Sequence, residues 1–172
     1  IKRPALCPAI PNIRGSYTLL CDCGANAECK PSMLCQFAVM ASAYATAGFG
    51  IKNPRVGLVT NGTEEHKGDP LHQQTYQLLK KMDVINFAGN IEGRDIMLSD
   101  CDVAVCDGFS GNIALKSMEG CGKLILSVLK KEATSTLSSK IGSLFLMKGF
   151  KRMRSKLDFE AVGGALLLGV KK

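Results

Sequence analysis

An α/β domain built on a mostly parallel sheet is the fold that this 172-residue sequence predicts, from three observations. Apolar runs of strand length alternate along the chain with longer runs of helical period, the order expected of a sheet with helices on its faces. Glycine occurs 18 times while aromatic residues make up 6% with no Trp, which suits many tight turns better than an aromatic-rich sandwich. Polar, glycine-rich words follow the strand-like runs, one after each. With 46% apolar and 22% charged residues the chain can bury a sizeable core, and residues 1–172 read as a single domain.

Residues 17–22 form the first expected strand, followed by a turn through Gly24 and Asn26. Pro31 opens a helix over residues 31–47, with Leu34, Phe37, Ala38, Ala41 and Ala45 on one face and Gly48 as its stop. No charge occurs from residue 31 to 51, the one stretch to weigh as a membrane span. About 17 helical residues reach roughly 25 Å, short of the ~30 Å hydrocarbon layer, so a buried helix is expected. Asn53-Pro54 introduces a second strand at 55–60. A helix at 71–81, a third strand at 84–87 and a fourth at 102–106 follow. A long helix over 111–131 then repeats Ala114, Met118, Cys121, Ile125 and Val128 at helical spacing.

The formal charge of +7 is concentrated in one place. Residues 123–156 hold nine Lys and Arg against Glu132, a net +8, and the rest of the chain is close to neutral at −1. Within this segment Leu137, Ile141, Leu144 and Phe145 share a helical face, so residues 124–157 read as a basic amphipathic helical hairpin. It either packs on the core or a partner subunit, or lies on an anionic membrane surface. No aromatic stacking set interleaves the charges and no zinc-finger or RNP-type motif occurs, so no nucleic-acid partner is expected.

Eight cysteines occur, none in a CxxC pair, beside only two histidines, His66 and His72. Several lie inside apolar runs, which predicts small buried thiols in a reducing, cytoplasmic setting rather than a metal site. Ile1 stands where an initiator Met would be, and the chain is expected to be part of a longer one.

The polar words are Gly24-Ala25-Asn26 with Lys30, the 62–68 stretch from Gly62 to Gly68, the 89–95 stretch from Gly89 to Asp95, and the 107–112 stretch from Asp107 to Asn112. In open α/β sheets ligands bind beyond the carboxyl ends of the strands, so these four loops predict one cleft. There is no GxSxG elbow, no P-loop and no dinucleotide fingerprint. What the loops offer is cations and amides: Lys30, Lys67, Arg94, Asn26, Asn90, Asn112 and the free N–H groups of a helix start after Gly111. That set suits an anion, phosphate or an oxygen developing negative charge. Glu64, Glu65, Glu92, Asp95 and Asp107 are expected to orient the cations.

Taken together, Gly24-Ala25-Asn26 with Cys29-Lys30-Pro31, Asn53-Pro54-Arg55-Val56-Gly57-Leu58, Gly62-Thr63-Glu64-Glu65 with Lys67-Gly68, Gly89-Asn90-Ile91-Glu92-Gly93-Arg94-Asp95, Cys106-Asp107-Gly108-Phe109 with Gly111-Asn112, and Gly163-Gly164-Ala165 resemble the bacterial phosphate acyltransferase family, in the same order over nearly the whole chain. The resemblance implies a three-layer α/β/α fold related to phosphotransacetylases and isocitrate dehydrogenases, with a protruding amphipathic hairpin. It implies transfer of a fatty acyl group from acyl carrier protein to inorganic phosphate, giving acyl phosphate for phospholipid synthesis. It further implies a homodimer in the cytoplasm, associated peripherally with the inner face of the membrane through the hairpin, and no cofactor. Carried over, the catalytic residues are Lys67 and Asn112; from the loop reading above, Asn26, Lys30, Asn90, Arg94 and Gly111 are expected to bind substrate. Family members are about twice as long, with an Asp-Ala-Met-Gly-Gly-Asp word near the start and a His-Gly-Ser-Ser word near the end, both absent here. Thr60-Asn61 and Leu166 also depart from the family's usual residues. The alternatives are a non-catalytic module that binds membrane or acyl carrier protein, and a phosphotransacetylase-like enzyme acting on acyl-coenzyme A.

Overall fold

The computed structural model describes residues 4–156 and 164–170. Its elements in chain order are β1 (Ala5–Cys7), β2 (Ala9–Pro11), β3 (Tyr17–Cys21), α1 (Pro31–Phe49), β4 (Arg55–Thr60), α2 (Pro70–Leu79), β5 (Asn86–Glu92), α3 (Asp95–Leu98), β6 (Val103–Val105), α4 (Gly108–Ala133), α5 (Leu137–Lys156) and β7 (Leu166–Leu168). Five strands form the main sheet in the order β2-β3-β6-β4-β5. Strands β3, β6, β4 and β5 are parallel, and β2 lies antiparallel at one edge. A second, two-stranded sheet pairs β1 with β7, Ala5 opposite Leu168.

Neighbouring residues of the central strands point to opposite faces, and both faces are buried, as parallel strands require. On one face Leu19, Val56, Leu58, Val103 and Val105 pack against Leu34, Phe37, Ala38, Ala41 and Ala45 of α1 and Leu79 of α2. On the other, Leu20 and Ala104 meet Ile96 of α3 and Leu115 of α4, with Ala114 and Met118 partly buried beside them. Each fully buried Leu or Phe contributes about 1.5–3 kcal/mol. The result is three layers, α1 and α2 below the sheet, α3 and the start of α4 above it.

Several boundaries differ from the sequence expectation. α1 runs through Gly48 and stops at Gly50, whose φ of 68° supplies the left-handed cap. Phe49 stays in the helix because its ring packs on Tyr17 and Tyr44, with centroids 6.0 and 5.5 Å away. α2 is shorter than expected, ending at Leu79. The third main-sheet run is not 84–87: Val84 is exposed in a turn, and β5 continues to Glu92. The pairing shifts by one residue between Val56 and Gly57, which absorbs Ala88 as a bulge and lets the Gly89-Asn90-Ile91-Glu92 word, which reads as a loop, continue the strand. α4 opens at Gly108, three residues earlier than expected, because Asp107 caps it by accepting a hydrogen bond from the Ser110 amide.

Beyond Met118, α4 leaves the sheet. Ile125 and Val128, expected on its packed face, are exposed, as is Cys121. With α5 it forms the hairpin, whose last residue in the sequence reading, Leu157, lies outside the described residues, as does Gly163. Leu137, Ile141, Leu144 and Phe145 are 76%, 54%, 71% and 85% exposed, so this apolar face has no partner within the described residues. No described helix is long and apolar enough to cross a membrane.

Candidate functional site

The direction of the four parallel strands puts Cys21, Val105, Thr60 and Glu92 at one sheet edge. β3 and β4 both exit to helices below the sheet, whereas β6, lying between them, exits to α4 above it. Such a reversal opens a crevice at the carboxyl edge. The strand that leads into α4 therefore lies between β3, which leads into the 22–30 loop, and β4, which leads into the 61–69 loop. Asn112 belongs to α4 and Lys67 to the β4 loop, so the two expected catalytic residues follow adjoining strands at the same edge.

The 61–69 loop is held by short-range hydrogen bonds among its own residues and Thr60. The Thr60 hydroxyl donates to the Gly62 carbonyl at 2.5 Å, the Gly68 amide to Asn61 Oδ1 at 2.9 Å, and the Lys67 amide to the Glu64 carbonyl at 3.0 Å. The lysine stem folds across Gly62: a Cβ there would lie 2.8 Å from Lys67 Cγ. Asp69 caps α2 through the His72 amide and holds the His72 ring at 2.7 Å. Burial works to raise Asp69, but these hydrogen bonds outweigh it and hold the carboxyl below its usual range. Lys67 is half-buried and forms no ion pair among the described residues. Glu65, expected to orient it, instead accepts from Gln77 Nε2 at 2.8 Å and Lys80 Nζ at 3.0 Å, which lowers its pKa. A groove of about 820 Å³ lined by Glu65, His66, Gln73, Gln74, Gln77 and Leu78 lies on the α2 side of the loop.

The β3 loop is organised by a residue that the sequence reading did not select. Asp22 is fully buried, and its carboxylate accepts from the amides of Leu6, Ala25 and Asn26 at 2.8, 3.1 and 2.7 Å and from Asn26 Nδ2 at 2.9 Å. Asn26 Nδ2 also donates to the Pro4 carbonyl at 2.7 Å. The Asn26 amide group, expected on substrate, is thus committed to the loop. A readable signal existed: an acid closing an otherwise apolar strand, between two cysteines, has to be buried with its donors close by. Lys30 remains exposed at the α1 N-cap without an ion pair among the described residues.

At the start of α4 the free N–H groups expected after Gly111 are mostly taken. The Gly108 amide donates to the Asn26 carbonyl at 2.8 Å, the Ser110 amide to Asp107 at 2.9 Å, and the Gly111 amide to the Asp107 carbonyl at 2.9 Å. Gly111 acts by its size instead, since a Cβ there would overlap the Asp22 carbonyl. Asp107 is a helix cap rather than a partner for a cation. Asn112 is exposed one turn further on, and its side chain faces Gly24, where an added Cβ would lie 3.8 Å from Asn112 Oδ1.

β5 stands one strand further out, beyond β4. Its Asn90 is 6% exposed and donates from Nδ2 to the Glu64 carbonyl at 2.7 Å, so it braces the Lys67 loop from behind. Arg94 pairs with Glu92 at 2.6 Å on the surface, and Asp95 accepts from the Glu92 amide at 2.9 Å. Neither Asn90 nor Arg94 adjoins the α4 start. Glu64 contributes its carbonyl twice, while its Oε2 lies beside Gly62. The crevice is therefore built by three loops, with the fourth as support.

The buried thiols of Cys21, Cys23 and Cys106, at the ends of β3 and β6, are held protonated. The neighbouring Cys7 thiol and burial push Cys21 far up, burial does the same for Cys23 and Cys106, and the Cys106 thiol donates to the Asp22 carbonyl at 3.2 Å.

A family model described as "Fatty acid synthesis protein" matches residues 1–172. The chain is 50% identical over 171 residues to "Phosphate acyltransferase" of Brevibacillus brevis, covering 99% of this chain and 51% of that protein. It is 48% identical to the protein of the same name in Helicobacter hepaticus, covering 100% and 51%. The chain thus spans about half the length of the curated relatives it matches. Among solved structures it is similar to the EutD phosphotransacetylase from Staphylococcus aureus, with a TM-score of 0.57 at 18% identity over 72% of this chain and 43% of the other. A phosphotransacetylase from Streptococcus pyogenes gives 0.58 at 16% identity, with the same coverage. At such identity the likeness concerns the fold.

Proposed function

The chain belongs to the fatty acid synthesis protein family, and we propose that it forms the phosphate-binding part of an enzyme that moves a fatty acyl group from an acyl carrier protein thioester to inorganic phosphate. One observation carries this reading: Lys67, a cation without an ion pair among the described residues, stands on the loop after β4, and Asn112, an exposed amide, stands on the helix after β6, the adjoining parallel strand. Relatives named phosphate acyltransferase support the reaction class.

In this reading Lys67 holds phosphate beside the thioester. A phosphate oxygen attacks the carbonyl carbon, and Asn112 donates a hydrogen bond to the oxygen that becomes negative. Collapse of the tetrahedral intermediate breaks the carbon–sulfur bond, and the departing thiolate takes up the proton that hydrogen phosphate loses. A well-placed oxyanion donor contributes about 3 kcal/mol. Phosphate is already an anionic nucleophile, so no side chain is assigned as base.

The test is to incubate the complete gene product with acyl carrier protein thioester and phosphate and to measure acyl phosphate, with acyl-coenzyme A as the competing donor. Lys67→Ala lowers the phosphate-dependent rate at least tenfold; unchanged kinetics remove Lys67 from the role. Faster turnover of acyl-coenzyme A assigns the donor differently, and no turnover of either donor leaves a binding module.

The hairpin enters the same proposal as a peripheral anchor on the inner face of an anionic membrane. Its exposed Leu137, Ile141, Leu144 and Phe145 lie on a helix with Lys140, Lys148, Lys151, Arg152 and Arg154. A homodimer and a cytoplasmic setting rest on the family resemblance.

A further inference from the structure

We infer that Asp22 is a positioning residue for Asn112, an inference that rests on the reaction proposed above. Four N–H donors converge on its buried carboxylate, two on each oxygen: Leu6 and Ala25 on Oδ1, the main-chain and side-chain nitrogens of Asn26 on Oδ2. No cation pairs with it among the described residues. A buried charge balanced by hydrogen bonds alone demands that all of them be kept, which fixes the Gly24–Asn26 turn.

The tie reaches α4 by two routes. The Asn26 carbonyl, placed by Asp22, accepts from the Gly108 amide at 2.8 Å and so sets the first residue of the helix. The Asp22 carbonyl packs against Gly111 and accepts from the Cys106 thiol at 3.2 Å, while its amide donates to the Cys106 carbonyl at 3.0 Å. Asn112 follows Gly111 directly and faces Gly24, inside the turn that Asp22 holds. The Lys67 loop is braced separately by Asn90. Asp22 therefore acts on the oxyanion donor and leaves phosphate binding alone.

An Asn at position 22 keeps the shape but turns an NH₂ toward N–H donors. In the complete gene product, Asp22→Asn is expected to lower kcat for phosphate-dependent acyl transfer at least tenfold while the KM for phosphate stays within twofold. Combined with Asn112→Ala, it should slow the reaction no further than Asn112→Ala alone, because both remove the same interaction. Hydrogen exchange at the Ala25, Asn26 and Gly108 amides should quicken, with the 61–68 loop unchanged. Multiplicative losses in the double variant, an unchanged kcat, or unchanged exchange each overturn the inference. Should Asp22→Asn fail to fold, Asn26→Ser, which removes only the Nδ2 bonds, must show the same non-additive pattern at smaller amplitude, and additivity there overturns it as well. If Lys67→Ala and Asn112→Ala both keep full turnover, the functional reading falls, and with it the reactive role of Asp22. That failure is recognised because exchange at Ala25, Asn26 and Gly108 still responds to Asp22→Asn.

Discussion

Asn90 donates a 2.7 Å hydrogen bond from Nδ2 to the main-chain carbonyl of Glu64, and that same carbonyl accepts the amide of Lys67 at 3.0 Å. A buried side chain on the outer strand thus holds the loop that presents the lysine. Replacing Asn90 with Ala should lower stability by about 1 kcal/mol, the net worth of one such bond. The Lys67 amide should also exchange with solvent faster. An unaltered exchange rate would show that the loop keeps its shape without the brace.

Two glycines of α4 should respond to alanine in opposite directions. Gly120 faces open space, so Gly120→Ala should stabilise the protein by about 0.5–1 kcal/mol through helix propensity. At Gly111 the new methyl group would overlap the Asp22 carbonyl, and Gly111→Ala should cost about 3 kcal/mol. Denaturant midpoints of the two variants give the comparison, and equal shifts would contradict the contact between α4 and β3.

The cap of α2 predicts a pH dependence. The folded Asp69 carboxyl lies below its ordinary value of 3.8, so its contribution is fully present above that pH and is lost as pH falls further. Asp69→Ala should cost about 1 kcal/mol at neutral pH, the usual worth of an N-cap. Stability curves of wild type and variant should converge below about pH 4. A gap that stays constant down to pH 2 would exclude the charged cap.

Introducing Glu at both Leu137 and Ile141 puts two charges on the exposed face of α5. The double variant should no longer sediment with anionic phospholipid vesicles yet keep its affinity for acyl carrier protein. Undiminished vesicle binding would refute the anchor.

The sequence by itself determined the alternation of strands and helices, the burial of one face of the uncharged helix that opens at Pro31, and the placement of three of the four glycine-rich words at one sheet edge. These follow from local periodicity, and parallel strands joined by helices leave their carboxyl ends together. Its family words carried the reading toward phosphate and an acyl group. Only the tertiary structure decided the rest. The three-residue β1 and β7 acquire their identity by pairing Ala5 with Leu168, a separation no local window spans. A one-residue bulge carries β5 through a word that reads as a turn. Which acid meets which cation was also a matter of folding: Glu65 turned to Lys80 and Glu92 to Arg94, leaving Lys67 unpaired among the described residues. Asp22 became the organising residue of the β3 loop because burial forces a carboxylate to collect nearby donors, and which donors are near depends on how the chain closes on itself.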